Sequence, residues 1–112
     1  MDINLTPAVV RLIQVFLEDP DNQYYGMQLM RTAHVSSGSL YPALMRLEKV
    51  GWIVGELEDI DPSKEGRPAR RFYRMTAGGV RAAHVALAEL SARVRPPVTS
   101  PGWLFNPGPK GT

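Results

Sequence analysis

The sequence predicts a mainly α-helical domain that carries one small β-hairpin. Apolar residues recur every three or four positions in four separate segments, which is the pattern of amphipathic helices. Two short segments in the second half instead alternate around a polar loop, which is the pattern of a hairpin. With 112 residues and 44% hydrophobic residues, the chain can form one domain with a modest core. The predicted order is helix, helix, helix, strand, strand, helix.

The first predicted helix has clear start and stop signals. Thr6 suits the N-cap, Pro7 the first helical position, and Asp19-Pro20 ends the helix. Its apolar residues are Val9, Leu12, Ile13, Phe16 and Leu17. This face is wider than one small domain usually covers, so it either packs in the core or is shared with a second subunit.

The second and third predicted helices are joined by a connection of two or three residues within "VSS". Met27, Leu29, Met30 and Ala33 support the second helix, and its methionines are interpreted as core filler. Ser36 is the predicted N-cap of the third helix and Gly51 ends it. The apolar face of the third helix holds Leu40, Ala43, Leu44 and Leu47, and the opposite face holds Gly38, Pro42, Met45, Arg46 and Lys49.

The hairpin comprises strands over residues 52–58 and 69–75, with a loop over 59–68. Trp52, Phe72 and Tyr73 are predicted core residues. Thr76 is the predicted cap of a final helix over 77–94, whose first turn Gly78 and Gly79 weaken. An apolar seam with heptad-like spacing follows the helix through Val80, Ala83, Leu87, Leu90 and Val94.

Residues 96–112 differ in composition from the rest of the chain. They hold five prolines and three glycines, so no regular helix or strand is predicted there. Trp103, Leu104 and Phe105 place three large apolar side chains in this tail. They are interpreted either as a docking segment for the body or a partner, or as part of a disordered tail.

Several function classes are disfavoured by the composition. The chain has no cysteine, and its two histidines lie far apart, so no metal or other cofactor is expected. No acid–base pair, nucleophile–histidine arrangement or phosphate loop is visible, so no enzyme is predicted. No apolar run approaches the ~20 residues of a membrane span, and the N-terminus lacks a basic leader region. A cytoplasmic location is therefore expected.

Charge is distributed unevenly along the chain. The net charge is only +2, but residues 64–81 contain six basic residues and one acidic residue. An acidic run of Glu56, Glu58, Asp59 and Asp61 precedes them. A chain polarised in this way can present a basic surface to phosphate groups while its total charge stays near zero.

The two middle helices with their tight connection predict a helix-turn-helix, and the hairpin predicts its wing. Small residues at the start of the third helix let its N–H groups approach phosphate, and the wing is basic. Arg70 and Arg71 lie on opposite faces of their strand, so only one is expected to face DNA. Glu48 is expected to be solvated rather than paired with Arg46 or Lys49. The predicted contacts to double-stranded DNA are Ser37, Gly38, Ser39, Pro42, Arg46, Lys49, Lys64, Arg67, Arg70 and Arg71.

Three segments in this order resemble the PadR family of bacterial transcriptional regulators. They are the Tyr25-Gly26 entry to the second helix, "SSGSLYPALMRLE" over residues 36–48, and "GRPARRFYRMT" over residues 66–76 with Tyr73 as the strand tyrosine. The resemblance covers about residues 5–95. It implies a winged-helix homodimer that binds a palindromic operator, usually as a repressor, and a phosphate contact for the Tyr41 hydroxyl.

The resemblance also implies that the last helix packs against the first helix of a partner subunit. The expected dimer contacts are Val9, Ile13, Phe16, Val80, Ala83, Leu87, Leu90 and Val94. The expected organisation is a DNA-binding domain over 1–76, a dimerisation helix over 77–95 and a tail over 96–112. Some members bind flat aromatic drugs between tryptophans of the last helix, and this helix contains none, so no effector is assigned.

An alternative interpretation is a winged helix that does not bind DNA. In it, the protein is an interaction module that uses the hairpin and Trp103-Leu104-Phe105 to bind a protein partner. It predicts a large effect of deleting the tail and little effect of Arg67→Ala or Arg71→Ala.

Overall fold

The computed structural model describes residues 3–94, and it has helices and strands in the predicted order with two additions. The elements are α1 (Pro7–Glu18), β1 (Tyr24–Tyr25), α2 (Gly26–Ala33), α3 (Ser37–Lys49), β2 (Ile53–Leu57), α4 (Pro62–Glu65), β3 (Arg71–Met75) and α5 (Ala77–Val94). Among these helices, none is long and apolar enough to cross a membrane. The tail prediction, with Trp103, Leu104 and Phe105, lies outside the described residues.

Helix α1 lies at the centre of the core. The Thr6 hydroxyl accepts a hydrogen bond from the Val9 N–H at 3.2 Å, which confirms the predicted cap. Its buried side chains are Val9, Leu12, Ile13, Val15 and Phe16. They are covered by α2, α3, α5 and β3 of the same chain. The wide apolar face of α1 is therefore occupied by the chain's own core.

Helices α2 and α3 form the predicted helix-turn-helix. The turn begins at His34, whose φ of 54° reverses the chain direction while its N–H donates to the Met30 carbonyl. Ser36 is the N-cap of α3, as predicted, but its hydroxyl contacts the Ser39 hydroxyl at 3.4 Å and does not cap the backbone. Gly51 follows the end of α3 with a φ of 78°, the conformation that favours glycine after a helix.

The sheet has one strand more than the sequence predicted. Strands β2 and β3 form the antiparallel wing, with Ile53 opposite Met75 and Leu57 opposite Arg71. Strand β1 adds to the free edge of β3 and gives the order β1-β3-β2. The two tyrosines of β1 are too few to show a strand period. Tyr25 is also the N-cap of α2, which begins at Gly26, so the Tyr25-Gly26 entry to the second helix is where the sequence analysis placed it.

The loop of the wing contains the short helix α4, which the sequence analysis treated as irregular. Asp61 caps it, because its carboxylate accepts a hydrogen bond from the Ser63 N–H at 3.0 Å. Gly66 ends it in the left-handed conformation. The hairpin connection is therefore folded locally by the same Asp, Pro and Gly residues that predicted a loop.

Helix α5 joins the core through its first three turns. The Thr76 hydroxyl accepts from the Gly79 N–H at 2.9 Å, as predicted, and donates to the Gly51 carbonyl at 2.7 Å. Ala83 is fully buried, Leu87 lies at the edge of the core, and Val94 in the last turn is 71% exposed. The predicted core residues Trp52 and Tyr73 are buried, whereas Phe72 is half-buried.

Candidate nucleic-acid interface

One face of α3 is open to solvent along its whole length. All seven α3 residues predicted to contact DNA are exposed: Ser37, Gly38, Ser39, Tyr41, Pro42, Arg46 and Lys49. The leucines on the other face are buried, which fixes the orientation of the helix. Pro42 lies inside α3 without ending it, because its missing N–H removes only the bond to the Gly38 carbonyl.

The first turn of α3 presents backbone N–H groups to solvent. The Ser36 carbonyl accepts from the N–H groups of Ser39 and Leu40 at 3.1 and 2.8 Å. Within residues 3–94, the N–H groups of Ser37 and Gly38 have no acceptor. Apart from its two chain neighbours and the backbone of its own helix, no heavy atom lies within 4 Å of the position a Gly38 side chain would occupy. This end of α3 can therefore be approached closely by an anionic group.

A groove of about 380 Å³ lies beside α3, between α2 and β3. It is lined by Tyr25, Gly26, Met27, Gln28, Arg31, Tyr41, Arg70, Arg71 and Tyr73. The Tyr41 ring covers Gly26, where an added Cβ would lie 2.9 Å from the tyrosine hydroxyl oxygen. Three arginines give the groove a positive charge, and one of them, Arg31, was missed because an exposed base on a short helix carries no distinguishing pattern.

Arg71 ties the wing to α3. Its Nη2 atom donates to Glu48 Oε2 at 3.1 Å, which corrects the expectation that Glu48 is simply solvated. The pair lies over Gly55, where a Cβ would be 2.8 Å from the guanidinium and 2.9 Å from the carboxylate. The hydrogen bond that Arg71 donates to Glu48 raises the pKa of Arg71, and burial raises the pKa of the Tyr73 hydroxyl beneath it. A glycine in β2 thus makes room for an ion pair that fixes the wing against α3.

Arg67 holds the base of the wing loop together. Its two terminal nitrogens donate to the two Glu58 oxygens at 2.7 and 3.1 Å. The same carboxylate accepts from the Arg70 N–H at 3.2 Å and from the Tyr25 hydroxyl at 3.3 Å. These donors, the Arg67 guanidinium above all, lower the pKa of Glu58 to about 2. The DNA contact of Arg67 stays a prediction, and the structure adds this internal contact.

The remaining wing cations are more accessible. Arg70 is exposed and its guanidinium lies 5.2 Å from the centre of the Tyr25 ring, which stacks on Phe72. Lys64 is exposed on α4. Neither takes part in the ion pairs formed among residues 3–94, which are Arg67–Glu58, Arg71–Glu48 and Arg74–Glu56.

The Glu58 contacts predict an acid-sensitive wing. A folded-state pKa of about 2, against 4.5 for a free carboxyl, means that ionised Glu58 stabilises the fold above pH 4.5. This contribution is lost as the pH falls from 4.5 through 2. We expect Tm to fall across this range, and to fall less in Glu58→Gln, which has no charge to lose. Thermal unfolding followed by circular dichroism at several pH values checks this, and parallel curves for the two proteins would contradict it.

Comparison with known proteins agrees with this architecture. The model of the PadR-like family of transcriptional regulators matches residues 20–85, more than half of the chain. The chain is 42% identical over 77 residues to the transcriptional regulator Rv3488 of Mycobacterium tuberculosis. That match covers 64% of this chain and 66% of the relative, so the chain spans just under two thirds of the relative's length.

Solved structures share the fold at lower sequence identity. A transcriptional regulator from Clostridium thermocellum superposes with a TM-score of 0.61 at 19% identity, covering 77% of this chain and 82% of its own. The structure of reduced AbfR bound to DNA superposes with a TM-score of 0.62 at 21% sequence identity, and the match covers 90% of this chain and 66% of the AbfR chain. These likenesses confirm the winged-helix fold, and the match over residues 20–85 confirms the resemblance noted from the sequence. The chain belongs to the PadR-like family of transcriptional regulators.

Proposed function

We propose that this protein binds a specific sequence of double-stranded DNA as a homodimer and represses transcription from a palindromic operator. The observation that carries the proposal is the position of the cations around the exposed face of α3. Arg46 and Lys49 lie on that face, and Arg31 and Arg70 line the neighbouring groove. An exposed helix with cations on its open face and in the groove beside it has the shape and charge to enter a major groove lined by phosphates.

The residues of the interface divide by chemistry. The N–H groups of Ser37 and Gly38 and the Tyr41 hydroxyl suit phosphate oxygens at the start of α3. Arg46 and Lys49 suit phosphates along the helix. On the wing, Lys64 and Arg70 are the accessible cations, while Arg67 and Arg71 act through the ion pairs that position the wing. AbfR, which was solved bound to DNA and shares the fold, supports this use of the architecture.

The dimer is proposed to form through the second half of α5. Four of the residues expected in the dimer interface are fully buried inside one chain, so they would not contact the partner directly. They are Val9, Ile13, Phe16 and Ala83. Leu87 lies at the edge of the core, Leu90 is half-buried and Val94 is 71% exposed, so these residues continue the buried stripe of α5 beyond the body. An apolar stripe that leaves its own core suits a second copy of the chain.

A charge placed on this stripe is expected to separate the subunits. The chain mass is 12.4 kDa, so sedimentation at micromolar concentration is expected to show a species of twice that mass. Leu90→Glu is expected to give the single-chain mass, because a carboxylate would be buried in the interface without a partner. Val85→Glu is the matched control, since Val85 lies on another side of α5 and is already 59% exposed. A wild-type species of single-chain mass would contradict the dimer.

Selection of bound DNA from a random pool, followed by footprinting, tests the function itself. The expected result is one inverted repeat, with half-sites about one helical turn apart or a multiple of it. Placing that repeat over a promoter is expected to lower reporter expression when the protein is present. Failure to enrich any sequence at ~50 mM salt, where phosphate contacts bind strongly, would overturn the proposal. A winged helix that acts only through a protein partner would give that failure.

A further inference from the structure

The centre of the exposed face of α3 is apolar, although its surroundings are cationic. Met45 is 69% exposed, lies one turn after Tyr41 and Pro42, and lies one turn before Lys49. It belongs neither to the core nor to the partly buried side chains that pack against the core. A long apolar side chain in this position contributes nothing visible to the stability of the chain, so its contact is expected to come from a partner.

Gly38, Pro42 and Met45 form an apolar ridge along the exposed face of α3, and the chemistry of this ridge restricts what it can recognise. Neither Pro42 nor Met45 has a side-chain hydrogen-bond donor, and Gly38 in line with them has no side chain. The ridge therefore cannot read a base by paired hydrogen bonds. In the major groove, the feature of a base edge that an apolar side chain can contact is the C5-methyl group of thymine. Cations beside the ridge, Arg46 and Lys49, favour a polyanion over an apolar protein surface as the partner.

We propose that Met45, supported by Pro42, reads thymine C5-methyl groups in the major groove of the operator. This inference rests on the proposed function and names the base feature that the same face recognises. The unbranched thioether of methionine can follow the position of a methyl group as the helix docks. Specificity at the centre of each half-site then comes from apolar contact, while the surrounding cations supply affinity that does not depend on sequence.

Replacing thymine by deoxyuridine tests the proposal, because it removes the methyl group and leaves every hydrogen-bonding group of the base in place. Each thymine of the selected operator is replaced singly, and affinity is measured by fluorescence anisotropy. Wild-type protein is expected to lose about fourfold in affinity per contacted methyl at one or two positions in each half-site. Met45→Ala is expected to bind the thymine operator more weakly and to show no further loss at those positions, since a double-mutant cycle isolates their interaction.

Val85→Ala is the matched control, because Val85 is also an exposed apolar side chain, on α5 and outside the groove beside α3. It is expected to keep the full sensitivity to deoxyuridine. The inference is overturned, with the proposed function intact, if the operator binds equally well with deoxyuridine at every position. It is also overturned if Met45→Ala keeps the same sensitivity as wild type, or if Met45→Ala changes the sedimenting mass, which would make the ridge a protein contact. Failure of wild type to bind any DNA would instead overturn the proposed function.

Discussion

Gly79→Ala is expected to lower the stability of the protein by about 3 kcal/mol, the upper end of the usual cost of forcing an atom into packed structure. Gly79 lies in the first turn of α5, directly against the start of β2. An added Cβ would overlap the Trp52 carbonyl oxygen and lie 2.6 Å from its carbonyl carbon and 2.7 Å from its Cα. All three are backbone atoms, so no side-chain rotation relieves the overlap, and α5 must move away from the core.

The displacement would also break the hydrogen bonds that join α5 to the end of α3. The Thr76 N–H donates to the Trp52 carbonyl at 2.9 Å, and the Thr76 hydroxyl donates to the Gly51 carbonyl at 2.7 Å. In a domain of this size, a loss of 3 kcal/mol corresponds to a fall in Tm of roughly 15 °C. Thermal and urea unfolding followed by circular dichroism would measure it.

Gly78→Ala is the matched control, since it makes the same chemical change one residue earlier. Apart from its chain neighbours and the backbone of its own helix, the nearest atom to its added Cβ is Arg81 Nη2 at 4.0 Å, so nothing has to move. Alanine is preferred to glycine in a helix by about 0.5–1 kcal/mol, so this variant is expected to be slightly more stable than wild type. Equal effects of the two substitutions would show that α5 does not pack against Trp52 as described.

The two glycines also show where the sequence stops being informative. From the sequence they are equivalent, and both simply weaken a first turn. In the structure one of them is required, because α5 crosses the backbone of Trp52 at that residue and not at its neighbour. Helix starts and ends depend on local signals, so the caps at Thr6 and Thr76 were predictable. The contact between two distant backbones was not.

Strand β1 was unpredictable for a related reason. Two tyrosines form a strand only because Phe72 and Tyr73 of β3, almost fifty residues later, offer a free edge to them. The residues around Tyr24 and Tyr25 give no local signal that this edge of β3 will lie beside them. The wing itself was predictable, because its strands are long enough to alternate and its loop carries turn residues.

The candidate site was predicted in outline, and its ion pairs were not. Helical periodicity alone placed the buried leucines of α3 inside and so gave its exposed face correctly. The acidic run before the wing was interpreted only as charge polarisation, yet Glu58 accepts two hydrogen bonds from Arg67 across the loop. Glu48 likewise pairs with Arg71, 23 residues away. Such pairs depend on strand register and helix packing, which sequence spacing does not contain.

Removing a cation from the exposed face of α3 is expected to weaken DNA binding to every sequence and to reduce its dependence on salt. Each phosphate contact contributes about 0.9 to the slope of log affinity against log salt concentration. Lys49→Gln removes one contact from each subunit, so the slope of a dimer is expected to fall by about 2. Anisotropy titrations between ~50 and ~200 mM salt would measure it. Arg93→Gln, which removes an equal charge from the last turn of α5, is expected to leave the slope unchanged.

Arg67→Gln separates the two roles that this wing arginine can have. Arg67 already uses three of its five N–H donors on Glu58 and the Pro68 carbonyl, so a phosphate would engage the two that remain or compete with that carboxylate. If Arg67 acts only on the wing loop, its loss is expected to lower Tm and weaken binding while the salt slope stays close to that of wild type. If it also contacts phosphate, the slope falls as it does in Lys49→Gln. Comparing the two slopes therefore shows whether Arg67, at the base of the wing, contacts the DNA backbone. If it does not, the wing contacts the backbone through its accessible cations, Lys64 and Arg70.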